Sequence, residues 1–131
     1  MFKINDDFTI HLTRGDAVLF DVGADTTDPD GNAARYVFTP GETVRLVVYG
    51  KKTCKNVVLS KSFKVTEETE TVLVFLSGDE TTIGKPINKP TDYWYDVEVI
   101  SPDDRISPRT ILGYDEDGAK LFRLYPEGSE Q

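Results

Sequence analysis

The segment LTRGDAVLFDV, residues 12–22, carries the clearest structural pattern in the chain, and the pattern returns as FTPGETVRLVV at residues 38–48. Each copy has a threonine, a glycine two residues later, an acidic residue and then alternating apolar residues. Glycine permits a tight turn, and the acidic side chain can accept hydrogen bonds from turn amides or face solvent. Because no nucleophile or general base accompanies either copy, we interpret the doublet as a turn followed by a strand, used twice.

Alternation of apolar and polar residues, the pattern of a strand with one buried face, continues along the chain. A continuous apolar run, TVLVFL at residues 71–76, predicts instead a strand that is covered on both faces. The alternating segments are FTIHL (8–12), AVLFDV (17–22), TVRLVVY (43–49), NVVLSKSFKV (56–65), DYWYDVEVI (92–100), RTILGY (109–114) and AKLFRLY (119–125).

Turn residues separate these segments. DEDG at residues 115–118 predicts a hairpin that joins the last two of them. Prolines exclude a central strand after residue 85, so we predict a short helical turn at residues 79–84, capped by Ser77 or Asp79. Short strands with turns every ten or so residues predict an all-β fold, a β-sandwich of about 7–9 antiparallel strands.

Length and charge restrict the classes of function. Residues 1–131 suit a single domain with frayed residues at both ends. The net charge of −8 repels phosphate backbones and anionic membranes, so we expect no nucleic-acid partner. We expect no signal peptide and no membrane insertion, because no apolar run approaches the spanning length of about 20 residues. The single cysteine excludes an intramolecular disulfide.

The order of motifs resembles a known family. The doublet encloses a Gly/Asp turn and is followed by VVLSKSFKV (57–65), LVFLSGDET (73–81), DYWYDVEVI and FRLYPEG (122–128). Over about residues 8–128 the chain resembles small tail-associated proteins of phages and prophages of Gram-positive bacteria, which are similar to the N-terminal domain of the phage baseplate upper protein family. The resemblance implies an immunoglobulin-like sandwich without enzymatic activity, made in the host bacterial cytoplasm and located in the virion tail.

The same resemblance sets expectations about partners. They would be other tail or baseplate subunits, and the resemblance also allows a homo-oligomer. Longer members of the family extend beyond this domain, so we expect a stand-alone adaptor. No cofactor is implied.

The only histidine and the only cysteine provide little for catalysis. His11 alternates with apolar residues and therefore faces the polar side of its strand, without the partners of a triad or a metal cluster. Cys54 is flanked by Lys51, Lys52 and Lys55, which favour the thiolate by lowering the pKa of the thiol. We expect an exposed, oxidisable loop thiol rather than a nucleophile.

One loop has the composition of a calcium site. Asp28, Asp30 and Asn32 alternate oxygen ligands close to a glycine, as in calcium-binding loops. The twelfth position counted from Asp28 is Thr39, which cannot supply the bidentate carboxylate that the full pattern needs. A solvated turn is therefore favoured over a metal site.

Trp94, Asp96 and Glu98 fall on one face of their predicted strand, with Tyr93 and Tyr95 on the other. Trp and Tyr commonly anchor interfaces, so these three residues are the predicted contacts to a partner subunit. Acids beside an aromatic also suit a sugar platform, and the alternative function is a carbohydrate-binding module that uses an exposed Trp94 face. No P-loop, dinucleotide fingerprint or nucleophile elbow occurs, and we expect a non-enzymatic protein.

Overall fold

A computed structural model describes residues 1–112, 114–115 and 118–127, and nearly all of its regular structure is β. The elements in these residues are β1 (Phe2–Ile4), β2 (Ile10–Thr13), β3 (Val18–Val22), β4 (Asp25–Thr27), β5 (Ala33–Arg35), β6 (Thr43–Lys51), β7 (Lys55–Lys64), β8 (Val72–Leu76), α1 (Gly78–Thr81), β9 (Thr91–Ile100), β10 (Arg109–Leu112), β11 (Tyr114–Asp115) and β12 (Gly118–Tyr125). The predicted all-β class is confirmed.

The strands form one large sheet and two small ones. The large sheet has the order β1-β2-β12-β9-β6-β7, with β10 also beside β9 and β11 beside β12. The small sheets are β3-β8 and β4-β5. Every described pair is antiparallel except β2 with β12, which is parallel. The prediction of antiparallel strands alone is therefore wrong, because β2 and β12 come from distant parts of the chain and no hairpin sets their direction.

Several predicted boundaries shift. The strand count exceeds the prediction because β1, β4, β5 and β11 have only two or three residues each, too few for a visible alternation. Residues 2–4, which we expected to be frayed, pair with β2. The hairpin predicted at residues 115–118 pairs β11 with β12, but β10 pairs with β9. Residues 116–117 of that turn and residues 128–131 of the tail lie outside the described residues.

One hydrophobic core receives side chains from the large sheet and from β3-β8. The alternation predicted the inward faces of β6 and β9 correctly, because every second residue points to the same side of a strand. The inward residues of these two central strands are Val44, Leu46, Val48, Tyr95, Val97 and Val99, all of which are buried.

Strand β8 is covered on one face only. Val74 and Leu76 are buried, whereas Leu73 and Phe75 are 48% and 49% exposed. The prediction of cover on both faces is therefore wrong. On the outer face of this two-stranded sheet, Lys61 and Phe63 of β7 contact the Phe75 ring but leave Leu73 and Phe75 about half exposed.

The first copy of the doublet is a tight turn that leads into β3. The amide of Asp16 donates to the carbonyl of Thr13 at 3.0 Å, and Gly15 between them has a φ of +88°. Glycine at this third position satisfies the positive φ that a type II turn requires. In the second copy the amide of Glu42 donates to the carbonyl of Thr39 at 3.1 Å, before β6. The turn-and-strand interpretation is confirmed in both places.

Arg14, inside the first turn, ties that turn to two later segments. Its guanidinium is buried and donates to the carbonyls of Ile83 and Gly84 at 3.1 Å and 2.7 Å. It also pairs with Glu127 at 2.9 Å. A buried guanidinium is costly unless its donors find acceptors, and these contacts give each of its three nitrogens an acceptor.

Helix α1 begins where the sequence predicts a cap. Ser77 accepts a hydrogen bond from the amide of Glu80, and the Glu80 carboxylate accepts from the amide of Ser77, which together form a capping box. The helix ends at Thr81, three residues earlier than predicted. The Thr81 hydroxyl accepts from the amide of Gly15 at 3.1 Å and donates to the carbonyl of Asp16 at 2.8 Å. The helix thus supports the first turn.

Replacement of Gly41 by alanine should lower the free energy of unfolding more than replacement of Gly31. Both glycines have positive φ, +96° and +86°, so each alanine costs about 1–2 kcal/mol of backbone strain. Only a Cβ at residue 41 meets a neighbour, Pro102 Cγ at 3.3 Å, whereas residue 31 has open space. Urea unfolding of both variants measures the difference, and equal losses would show that Pro102 moves aside.

Candidate functional site

The predicted interface residues of β9 lie together on the face that points away from the core. In the antiparallel register each lies directly opposite a residue of β6, so that the two strands share one outer patch. The opposed pairs are Trp94 with Tyr49, Asp96 with Val47, and Glu98 with Arg45.

This outer patch is less accessible than the sequence suggests. Asp96 is only 6% exposed, and Trp94 is partly buried. The hairpin after β6 folds towards the patch, because Lys52 lines the same depression as Trp94. Lys52 also approaches Gly118 of β12, since a Cβ on that glycine would lie 3.6 Å from Lys52 Cε. Asp96 is therefore not available to a partner as the open strand face implied.

In the part of the chain that the structure describes, the buried carboxyl group of Asp96 has one hydrogen-bond donor, at long distance. Tyr49 Oη donates to its two oxygens at 3.2 Å and 3.3 Å. Burial and the neighbouring Glu98 raise the pKa of Asp96, although the Tyr49 hydrogen bond and Arg45 oppose this. Arg45 itself forms an ion pair with Glu98 at 3.1 Å. The carboxyl groups of Asp96 and Glu98 thus each interact with a side chain of β6.

Cys54 does not have the environment that its lysine neighbours suggest. Burial, Asp96 and Glu98 raise the pKa of the thiol, and the thiol is partly buried. The expectation of a lowered pKa is therefore wrong. The chain neighbours are lysines, but the fold brings two carboxylates from β9 close to the thiol, and burial disfavours the thiolate.

The candidate calcium loop uses its first aspartate to hold its own backbone. Asp28 Oδ1 accepts from the amides of Asp30 and Asn32 at 3.0 Å and 2.9 Å. This is an Asx turn at the tip of the hairpin between β4 and β5. Within residues 1–112, 114–115 and 118–127, no three His, Cys, Asp or Glu side chains are grouped closely enough to hold a metal ion.

His11 has a structural environment on the polar side of β2. Its Nδ1 lies 2.7 Å from Tyr125 Oη, and its Nε2 lies 2.9 Å from Asn5 Nδ2. The histidine therefore links β2 to the end of β12 and to the loop before β2. Both ring nitrogens have protein partners.

Trp94 borders a shallow depression of about 360 Å³. An aromatic side chain among charged and hydroxyl groups is a composition that suits a sugar. Asp96 and Glu98 do not line this depression, so the two acids and the indole do not share one cavity. The remaining lining residues are Asp7, Thr9, Lys52, Ala119, Lys120 and Leu121.

Among the described residues, the large hydrophobic side chain with the highest exposed fraction lies on β3-β8. Leu19 is 65% exposed and stands directly opposite Phe75, with Leu73 two residues along. The ammonium of Lys61 lies 4.0 Å from the centroid of the Phe75 ring and donates to the Phe75 carbonyl at 2.9 Å. The alternation of β3 contains a signal for this surface, because Leu19 shares its polar face with Asp21. We name Leu19, Leu73 and Phe75 the apolar outer face.

Glu42, the acid of the second doublet copy, is a buried carboxylate with many donors. It accepts from Tyr36 Oη, from the amide of Thr39 at 2.7 Å and from Arg109 Nη2 at 3.2 Å. Burial alone would raise the pKa of Glu42, but hydrogen bonds from Tyr36 and Thr39, together with Arg109, lower it below its usual value. The pKa of Glu42 is lowered whereas that of Asp96 is raised, because Glu42 accepts from more donors and one of them is the charged guanidinium of Arg109.

Comparison with known proteins gives no match to a family model, a curated protein or a solved structure. The resemblance to tail-associated proteins therefore rests on the sequence motifs. In the described part of the chain no helix has the length and apolar character needed to cross a membrane.

The two buried carboxylates should respond to pH in opposite directions. Asp96 has a raised pKa, so its ionisation costs stability above its usual pKa, and Asp96→Asn should raise the free energy of unfolding at pH 7. This gain should disappear as the pH falls below about 3.8, the usual value for aspartate. Thermal unfolding of the variant between pH 3 and pH 7 measures the effect.

The matched control is Glu42→Gln. Glu42 has a lowered pKa, so its carboxylate stabilises the fold above its usual pKa, and the variant should lose about 1–3 kcal/mol at pH 7. The loss should shrink as the pH falls below about 4.5, the usual value for glutamate. Shifts of the same sign in both variants at pH 7 would contradict the opposite environments.

Proposed function

We propose that this protein is a non-enzymatic structural or adaptor component of a phage or prophage tail, at the baseplate, and that it acts through protein–protein contacts. The order of motifs over about residues 8–128 supports this proposal by its resemblance to tail-associated proteins. The proposed architecture is an immunoglobulin-like sandwich, in which the large sheet and β3-β8 enclose the common core.

The apolar outer face is the observation that carries a contact function. Leu19, Leu73 and Phe75 are each about half exposed or more and adjoin one another on two paired strands. A contiguous exposed apolar surface is characteristic of protein–protein contact sites. Leu19 is the most exposed of the large hydrophobic residues in the described chain.

A strand edge offers a second type of contact. Strand β7, residues Lys55–Lys64, pairs with β6 on one side and ends the described order of the large sheet. Edge strands can pair across subunits, and symmetric repetition of such contacts builds rings. Of the contacts predicted from sequence, Trp94 retains partial exposure, whereas Asp96 is buried and Glu98 is paired with Arg45. We therefore place the main contact on the apolar outer face.

Genetic complementation tests this function. In a lysogen with the gene removed, particle production should stop at incomplete tails and should be restored by the natural chain. The Leu19→Lys/Phe75→Lys variant should restore at least about tenfold fewer infectious particles, because a contact loss of about 1.4 kcal/mol reduces affinity tenfold. Electron microscopy and plaque counts measure the result.

The control for this experiment is Ile106→Lys, at an apolar residue of the loop between β9 and β10 that is 45% exposed. It changes a similar side chain on another surface and should restore particles fully. Circular dichroism and thermal unfolding must show that each variant is folded. Normal tails in the absence of the gene, or flanking genes for sugar transport and polysaccharide breakdown, would exclude the tail function.

The depression beside Trp94 favours one alternative, a carbohydrate-binding module. Trp94 is the only tryptophan, so its fluorescence reports this depression alone. If the alternative holds, titration with a panel of oligosaccharides should give a saturable fluorescence change at millimolar concentration or below. Isothermal calorimetry should then show the same binding in the natural chain and its loss in Trp94→Ala. No saturation with any sugar would remove this alternative.

A further inference from the structure

A groove of about 560 Å³ opens between β3 and β10. On one side it is lined by residues 20–25, which are consecutive residues at the end of β3 and directly after it. On the other side it is lined by Thr110, Ile111 and Leu112, which are consecutive in β10. Consecutive residues of a strand point to alternate faces, so a groove lined by all of them is bordered by the strand's backbone edge.

Both of these edges lack a strand partner on the groove side within the described residues. Strand β3 pairs only with β8, and β10 pairs only with β9. Directly after β3 the carbonyl of Ala24 accepts from the amide of Tyr36 at 2.9 Å, so the open edge is that of β3 itself. Unpaired amide and carbonyl groups along a strand edge are a template for another strand. An added strand would lie roughly 4.8 Å from the edge with which it pairs, and the groove gives an extended segment access to both edges.

The end of the groove is apolar and contains a strained residue. Ile4 and Phe8 line it and are 38% and 48% exposed. Phe8 has a φ of +67°, which is an outlier for a bulky side chain and costs about 1–3 kcal/mol. The fold imposes this conformation, since the Phe8 amide donates to the Asn5 carbonyl at 2.9 Å and Tyr95 Oη donates to the Phe8 carbonyl at 2.5 Å. These two hydrogen bonds hold the backbone of Phe8 in the strained conformation that places its ring at the groove.

The charge at the groove favours a basic occupant. Asp21 and Asp25 line it together with Lys120, and Asp25 also forms an ion pair with Arg35 at 3.5 Å. Both aspartates are exposed, and because the Asp25 side chain is 86% exposed this ion pair is weak and leaves the carboxylate accessible to a basic partner. The chain as a whole has a net charge of −8, so its field adds to the local preference for a basic partner.

We propose that this groove binds an extended segment of a partner subunit, which enters as an added strand between β3 and β10. Alternate side chains of the segment are apolar and pack on Phe8, Ile111 and Leu112. The intervening side chains are basic and face Asp21 and Asp25. Backbone hydrogen bonds supply the affinity, and the alternation and charge supply the selectivity. The source of the segment rests on the proposed adaptor function, whereas binding in the groove is a property of this chain alone.

The probe for this site is the peptide acetyl-Lys-Val-Lys-Val-Lys-Val-Lys-amide, compared with the peptide in which glutamate replaces every lysine. The lysine peptide should bind saturably and at least about tenfold more tightly, a difference of about 1.4 kcal/mol. Hydrogen exchange should show that binding protects amides of β3 and β10. NMR shift perturbation should map the contact to the groove.

A pair of double variants separates the groove from general charge attraction. Asp21→Lys/Asp25→Lys should abolish or reverse the preference for the lysine peptide. Glu67→Lys/Glu68→Lys makes the same change in net charge at two exposed residues that do not line the groove, and it should keep the preference for the lysine peptide. Thermal unfolding verifies that both variants are folded.

Three results would overturn the proposal. One is the absence of saturable binding of the lysine peptide at millimolar concentration, or equal binding of both peptides. Another is protection of β7 or of the Trp94 depression instead of β3 and β10. The third is concentration-dependent dimerisation that protects β3, which would make a second copy of the chain the occupant. Particle assembly in the lysogen is measured separately, so failure of the groove and failure of the adaptor function are distinguishable.

Discussion

The buried guanidinium of Arg14 holds together parts of the molecule that no hydrogen-bonded ladder joins. Strand β3 pairs only with β8 in the described sheet order, so the position of this small sheet depends on side chains and on the common core. Arg14 binds the carbonyls of Ile83 and Gly84 and the carboxylate of Glu127. Lys61 makes a comparable link from β7 to the Phe75 carbonyl and to Glu80. Because the layers meet through these contacts and not through strands, β3 keeps a free edge and an uncovered outer face.

The surfaces available for contact follow from this arrangement. Side chains of β7 contact the apolar outer face at Phe75 but leave it about half exposed, and the groove exists because β3 and β10 do not pair. Two carboxylates, by contrast, are buried against neighbouring side chains: Glu42 accepts from Thr39 and Arg109, and Asp96 accepts from Tyr49. The proposed adaptor function draws on these features together with the resemblance in the motifs.

The sequence alone determined the features that depend on local interactions. Period-two alternation placed the inward faces of β6 and β9 correctly, since side-chain direction in a strand follows from backbone geometry. The glycines of the doublet marked two turns because only glycine readily accepts the positive φ found at Gly15 and Gly41. Ser77 and Asp79 were the two predicted helix caps because both side chains can accept from the first amides of a helix, and Ser77 is the cap in the structure. The all-β class followed from the repetition of these local signals.

Only the tertiary structure decided the features that depend on contacts between distant segments. The parallel pairing of β2 with β12 is not specified by any hairpin. The burial of Asp96 and the raised pKa of Cys54 arise where the hairpin after β6 approaches β9. The alternation of apolar and polar residues along one strand does not predict this contact. The exposure of Leu73 and Phe75 depends on how many layers the fold contains. An apolar run in the sequence does not indicate whether one face of the strand or both faces are covered. Local backbone geometry is determined by residues that are neighbours in the sequence. Burial, pKa values and strand partners are determined by residues that come into contact only after folding.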